Sequence, residues 1–179
     1  MTHHKVWDPV LRLFHWCLVA GFAANALLID EEAALHPTVG YAVVALVALR
    51  LVWGLVGPCY ARFASFPPAP SAALGQLADI ATGRRRVHLG HSPLGALMIY
   101  NLLATILFIG LTGWMMTTDP FWGVQWVEEA HEAAVVWAEA SILAHVAGVL
   151  WESLRTGVNL PSAMITGIKS VPEEARRAL

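Results

Sequence analysis

Four of the eight histidines, His15, His36, His131 and His145, fall inside or at the edge of long apolar runs, where an ionisable side chain is expensive to keep and usually functional. Imidazole is also the commonest metal ligand among side chains. His131 and His145 are fourteen residues apart, so on one helix they lie about 21 Å apart along the axis and within roughly 40° of the same face. That spacing offers two ligand positions, one near each side of a bilayer. His15 lies at a depth comparable with His145, and His36 opens its run level with His131. The four therefore pair by depth: His15 with His145, and His36 with His131.

Two imidazoles on facing helices could share a haem iron or a bare metal ion. Zinc and copper sites usually gather three or four His, Cys or carboxylate ligands at one level, whereas each level here supplies two histidines. Haem needs only two axial ligands, and a helix bundle can hold its flat apolar ring between helices. Gly40, one turn from His36, and Gly148, three residues past His145, would let such a ring approach the backbone. No Cys-x-x-Cys-His run occurs, so the haem would be held without covalent attachment and be b-type. The competing readings are histidines that merely hydrogen-bond across helix interfaces, to which the helix-end pair His36 and His131 is the more open, and a His-lined metal transporter.

The elements that must carry these residues follow from composition. Over 179 residues the chain is 57% hydrophobic and 13% charged, with mean hydropathy +0.58; soluble domains carry charge on about a quarter of their residues. This excludes a disordered chain, and a net charge of -2 offers no basic field for nucleic acid. Two cysteines, Cys17 and Cys59, make no disulfide scaffold. The pattern predicts a single integral membrane domain over 1–179, an all-α four-helix transmembrane bundle in lipid with haem sites in its core. The spans run over about 9–29, 37–57, 92–118 and 129–155, with an amphipathic interfacial segment over about 71–82. A further helical turn is expected between Pro161 and Lys169, before a charged tail. His3 and His4 are expected to be disordered.

All eleven basic residues flank one side, from Lys5 and Arg12 through Arg50, Arg62, Arg84, Arg85 and Arg86 to Arg155, Lys169, Arg176 and Arg177. The opposite side carries Asp30, Glu31, Glu32, Asp119, Glu128, Glu129 and Glu132. By the positive-inside rule both termini are cytoplasmic. Trp7 and Trp53 then mark the inner boundary, and Trp114, Trp122 and Trp126 the outer one. Arg50, fourteen residues after His36, returns to nearly the same face at the cytoplasmic level. Its partner is either a haem propionate or the inner headgroups, and Arg12, three residues before His15, invites the same two readings. His88 and His91 are read as solvated or propionate-contacting loop residues. Glu139 stands alone inside the fourth apolar run, as a structural group or a proton carrier. Asn101 and Tyr100 are read first as interhelical packing groups, with a hydrogen bond to haem or quinone as the alternative.

Several ordered pieces carry a resemblance. They are Val6-Trp7-Asp8-Pro9, Arg12-Leu13-Phe14-His15-Trp16, His36 with Gly40-Tyr41, Arg50-Leu51-Val52-Trp53-Gly54, Leu89-Gly90-His91-Ser92-Pro93-Leu94-Gly95, His131-Glu132 and His145. The chain, from about Val6 to Lys169, resembles the prokaryotic cytochrome b561 family of di-haem bacterial inner-membrane proteins and the related b-type cytochrome subunits of nickel-iron hydrogenases. The resemblance implies two haem b groups with axial ligands at His15, His36, His131 and His145, and gives His91 a family motif. It also implies electron transfer between the quinone pool and a redox partner such as a c-type cytochrome or a dehydrogenase. A stand-alone superoxide:quinone oxidoreductase, or a subunit of a hydrogenase or dehydrogenase complex, is the alternative. The outer side lacks Lys and Arg, which disfavours an anionic outer substrate and suits a basic c-type partner.

Overall fold

The computed structural model describes residues 1–172; Arg176, Arg177 and the rest of the expected charged tail lie outside them. Four helices are long and apolar enough to cross a membrane: α1 (Pro9–Leu27), α2 (Leu35–Val56), α4 (Pro93–Met116) and α5 (Gln125–Thr156). The shortest, 19 residues, spans about 28 Å at 1.5 Å per residue, close to the hydrocarbon thickness of about 30 Å. Between α2 and α4 lies α3 (Pro70–Ala81), and α6 (Leu160–Thr166) follows α5.

Local signals set the helix starts. Asp8 accepts from Leu11 N at 3.0 Å ahead of Pro9, and Ser92 accepts from Gly95 N at 3.2 Å ahead of Pro93. In both cases an oxygen satisfies an orphan N–H, and proline occupies a position whose missing N–H costs nothing. The fourth span begins at Gln125, four residues earlier than the apolar run suggests. Gln125 Nε2 donates to Glu129 Oε1 at 2.8 Å across that first turn, and Glu128 faces the positive end of the helix. The first span stops at Leu27, and α2 begins at Leu35, so His36 is already helical and Pro37 occupies the third position of the first turn, where N–H groups have no helical partner.

α1 packs on α2, α2 on α4, and α4 along α5, with α3 laid against α4. Val43 and Val47 of α2 meet Leu103 and Ile106 of α4 in the central core. Gly110 lets these two helices close, since a Cβ there would run into Val44. By contrast, α5 packs extensively on neither α1 nor α2. Exposed Leu13, Leu49, Val136 and Leu143 face outward, as acyl chains require.

The ends of the described chain differ from expectation. His3 and His4 are ordered in strand β1 (Thr2–Lys5), which pairs antiparallel with β2 (Ile168–Val171) in the register Thr2 with Val171 and Lys5 with Ile168. The turn of helix expected over Pro161 to Lys169 ends at Thr166. Gly167 stops it with φ 83°, and its Cβ would press on the Trp7 carbonyl, so only glycine fits. Trp7 is not a lipid-facing boundary residue. It is buried with Val6, Leu11 and Ala163, because the ribbon and α6 cover it.

Candidate functional site

The structure brings His36 and His131 together, with ring centroids 6.5 Å apart and planes at 62°. Two imidazoles bound through nitrogen to a single metal ion stand with centres about 6.4 Å apart, from metal–nitrogen bonds of about 2.0–2.1 Å and ring radii of about 1.1–1.2 Å. The observed separation leaves room for one metal ion between the rings and is too wide for a direct hydrogen bond between them. His15 and His145 likewise approach closely enough to interact electrostatically, and the His15 Nδ1 is enclosed without a hydrogen-bond partner. The imidazoles of α1 and α2 thus face those of α5 across the one side of the bundle where helices do not close on each other. Among the described residues no three His, Cys, Asp or Glu side chains converge as a metal cluster; the chemistry available at each level is a pair of imidazoles.

His131 and His145 lie in the heptad seam of α5. Val127, Ala134, Ala138 and Ser141 are buried along the same line as His131 and His145, and their small size lets α4 approach. Asn101 of α4 ties the seam by donating to Ser141 Oγ at 2.9 Å and accepting from Trp137 Nε1 at 3.0 Å, so it serves interhelical packing. Gly148 meets open space on its missing side chain's side, whereas Gly40 is turned toward Asn25 of α1, whose Nδ2 would lie 3.8 Å from a Cβ. Glu139 is half-buried and has no hydrogen-bond or ion-pair partner among the described residues.

Around the lower pair the setting is cationic. Arg50 is 3% exposed, so it does not snorkel to headgroups. Its guanidinium lies 4.7 Å over the Phe63 ring, with Nη1 enclosed and unpartnered. Gly54 makes room for that ring, since a Cβ would collide with it. Arg12 is committed elsewhere: Nη1 donates to the Ile165 carbonyl at the end of α6, while its Nε is enclosed without a partner.

His91 is not a solvated loop residue. Its ring is held between Trp7, at 4.6 Å, and Phe66, at 4.2 Å, and its Nδ1 is enclosed and unpartnered. Burial first, and then the neighbouring Lys169 and Arg50 charges, push its pKa down to about 3, so it is neutral at physiological pH. Lys169, 4% exposed, donates from Nζ to the carbonyls of His88, Leu89 and Gly90 at 2.9, 2.9 and 3.1 Å. Burial brings its pKa to about 8, against the support of Glu152. Burial also lowers the His88 pKa.

Sequence reasoning missed Thr112. Its hydroxyl lies 3.0 Å from His131 Nδ1 and within 3.0 and 3.1 Å of the Phe108 and Ile109 carbonyls. Gly113 beside it leaves room for the imidazole, because a Cβ there would come within 3.2 Å of His131 Cε1. The burial of Trp7 and Lys169 likewise escapes the sequence, since nothing local announces a fold-back of residues 168–171 against residues 2–5.

Four helices able to cross a membrane, with His36 and His131 facing each other between two of them, define a class: an integral membrane helix bundle with imidazoles turned toward one another in its interior. The sequence model described as prokaryotic cytochrome b561 matches residues 6–167, and the chain belongs to that family. It is accordingly a membrane b-type cytochrome of electron transfer, with haem b as its cofactor. No curated protein matches it significantly.

Proposed function

We propose that the chain holds two haem b groups, one between His36 and His131 and one between His15 and His145, and relays single electrons across the bacterial inner membrane between quinone and a redox partner. The observation that carries this reading is the 6.5 Å spacing of the His36 and His131 rings; about 21 Å further along α5, His145 comes within electrostatic range of His15. Haem, when bound, supplies the reversible one-electron chemistry. The protein's own residues do the rest. The four imidazoles fix the two levels, and the small seam residues of α5 hold that helix against α4. The buried, unpartnered Nη1 of Arg50 offers a cation to a propionate at the lower level. His91, neutral and clamped between two rings, presents its unpartnered Nδ1 in the same region.

The one-sided distribution of Lys and Arg puts the β1–β2 end in the cytoplasm. At the other end the acidic outer residues favour docking of a basic c-type partner over attraction of an anionic substrate such as superoxide. The test places the purified protein in proteoliposomes containing a reduced quinone, with ferricyanide outside. Quinol should reduce the haems and ferricyanide reoxidise them, with transfer stopped in both His15→Ala and His131→Ala. Transmembrane transfer that survives His131→Ala would sink the two-level relay. Turnover of superoxide by the isolated protein, with no partner needed, would replace the docking reading by the oxidoreductase one.

A further inference from the structure

We propose that Thr112 is a positioning residue for the outer site, fixing the tautomer of His131 and strengthening it as an iron ligand; this rests on the reading of His131 as an axial ligand. Thr112 is 2% exposed, so its hydroxyl must be satisfied within the protein. It has one proton. The two atoms that can only accept are the backbone carbonyls of Phe108 and Ile109, at 3.0 and 3.1 Å, the usual back-bond of a helical threonine. The proton goes there, and the oxygen lone pair is left to face His131 Nδ1 at 3.0 Å. The hydrogen in that contact therefore belongs to Nδ1. With Nδ1 protonated, the free lone pair of His131 is on Nε2.

The partner ligand has no such support, because the His36 Nδ1 is enclosed without a hydrogen bond, as is the His15 Nδ1 at the other level. A donor bond from Nδ1 raises the basicity of the coordinating nitrogen and locks the ring's orientation. The α4 segment Thr112-Gly113 thus seats His131 from both sides, the hydroxyl aligning it and the missing Cβ giving it room. A more basic axial ligand favours ferric iron, so the bond lowers the outer haem's potential relative to an unsupported pair.

The experiment compares wild type with Thr112→Val, which keeps the shape and removes the hydroxyl, and Thr112→Ser, which restores it. Haem titration of the depleted protein and a spectroscopic redox titration are the readouts. Thr112→Val should weaken haem binding at the outer site about 10–100-fold and raise that haem's midpoint potential, with the cytoplasmic haem unmoved. Thr112→Ser should return both toward wild type. A purely packing role would shift neither potential. Unchanged outer affinity and potential in Thr112→Val, with the outer haem lost in His131→Ala, would overturn the proposal alone. Retention of both haems in His131→Ala would overturn the ligand assignment beneath it.

Discussion

The two ligand levels use the same residue type in different settings. At the outer level, His131 is held by a neutral hydroxyl and a glycine, and the nearby loops carry Asp30, Glu31, Glu32 and Asp119. Toward the other level, Arg12 precedes His15 by one turn, and Arg50, Lys169 and the buried His91 cluster at the same end of the bundle. Cations near an iron centre favour its reduced form, while acidic loops and a strengthened axial ligand favour the oxidised form. With haems bound as proposed, these asymmetries predict the lower potential for the haem of the His36–His131 level.

The largest effect expected is selective loss of a haem. His36→Ala or His131→Ala should remove chiefly the outer haem, and His15→Ala or His145→Ala the cytoplasmic one, as read by haem content and the reduced spectrum. Loss of both haems in a variant that stays folded would dissolve the two-level picture.

Acid should weaken the lower region through His91. His91 binds a proton near pH 6.5 when unfolded but only near pH 3 when folded, so between these values the unfolded state carries the extra proton and stability falls as pH drops. The slope is about 1.4 kcal/mol per pH unit for this one group. Thermal unfolding at pH 7 and pH 5 should show a smaller acid loss in His91→Phe than in wild type, and an equal loss would mean that the ring is not clamped as described.

Gly54→Ala should cost about 1–3 kcal/mol by overpacking against Phe63, displacing the ring under Arg50 and disturbing the cytoplasmic haem's spectrum before the outer one's. A stability and a spectrum both like wild type would show that Phe63 yields freely. Arg50→Leu should have the smallest effect, lowering the cytoplasmic haem's potential while leaving haem content and the outer potential unchanged. A shift of the outer wave instead would reverse the assignment of the guanidinium to the lower level.

Much of this comparison is legible before any fold is known. Apolar runs of membrane length and proline-marked starts at Pro9 and Pro93 locate the helices, and the fourteen-residue spacing of His131 and His145 sets two depths by helix arithmetic alone. What escapes the sequence depends on how helices rotate against one another. Thr112 reads locally as a threonine back-bonded to its own helix, and only the approach of α4 to α5 reveals that its oxygen also faces His131. Lys169 reads as one more cytoplasmic charge. Its burial follows from a strand pairing that joins residues 2–5 to residues 168–171, a contact no local periodicity encodes. Arg12 and Arg50 each keep one enclosed, unpartnered nitrogen, yet the first has a terminal nitrogen committed to the Ile165 carbonyl and the second lies over the Phe63 ring.

The most direct test of the two-level reading is a haem assay with a dithionite-reduced minus oxidised spectrum on the detergent-purified protein. Two haem b per chain with low-spin, bis-imidazole bands is the result expected. One haem per chain would make one histidine pair structural, and none in folded protein supplied with haem would contradict the site altogether.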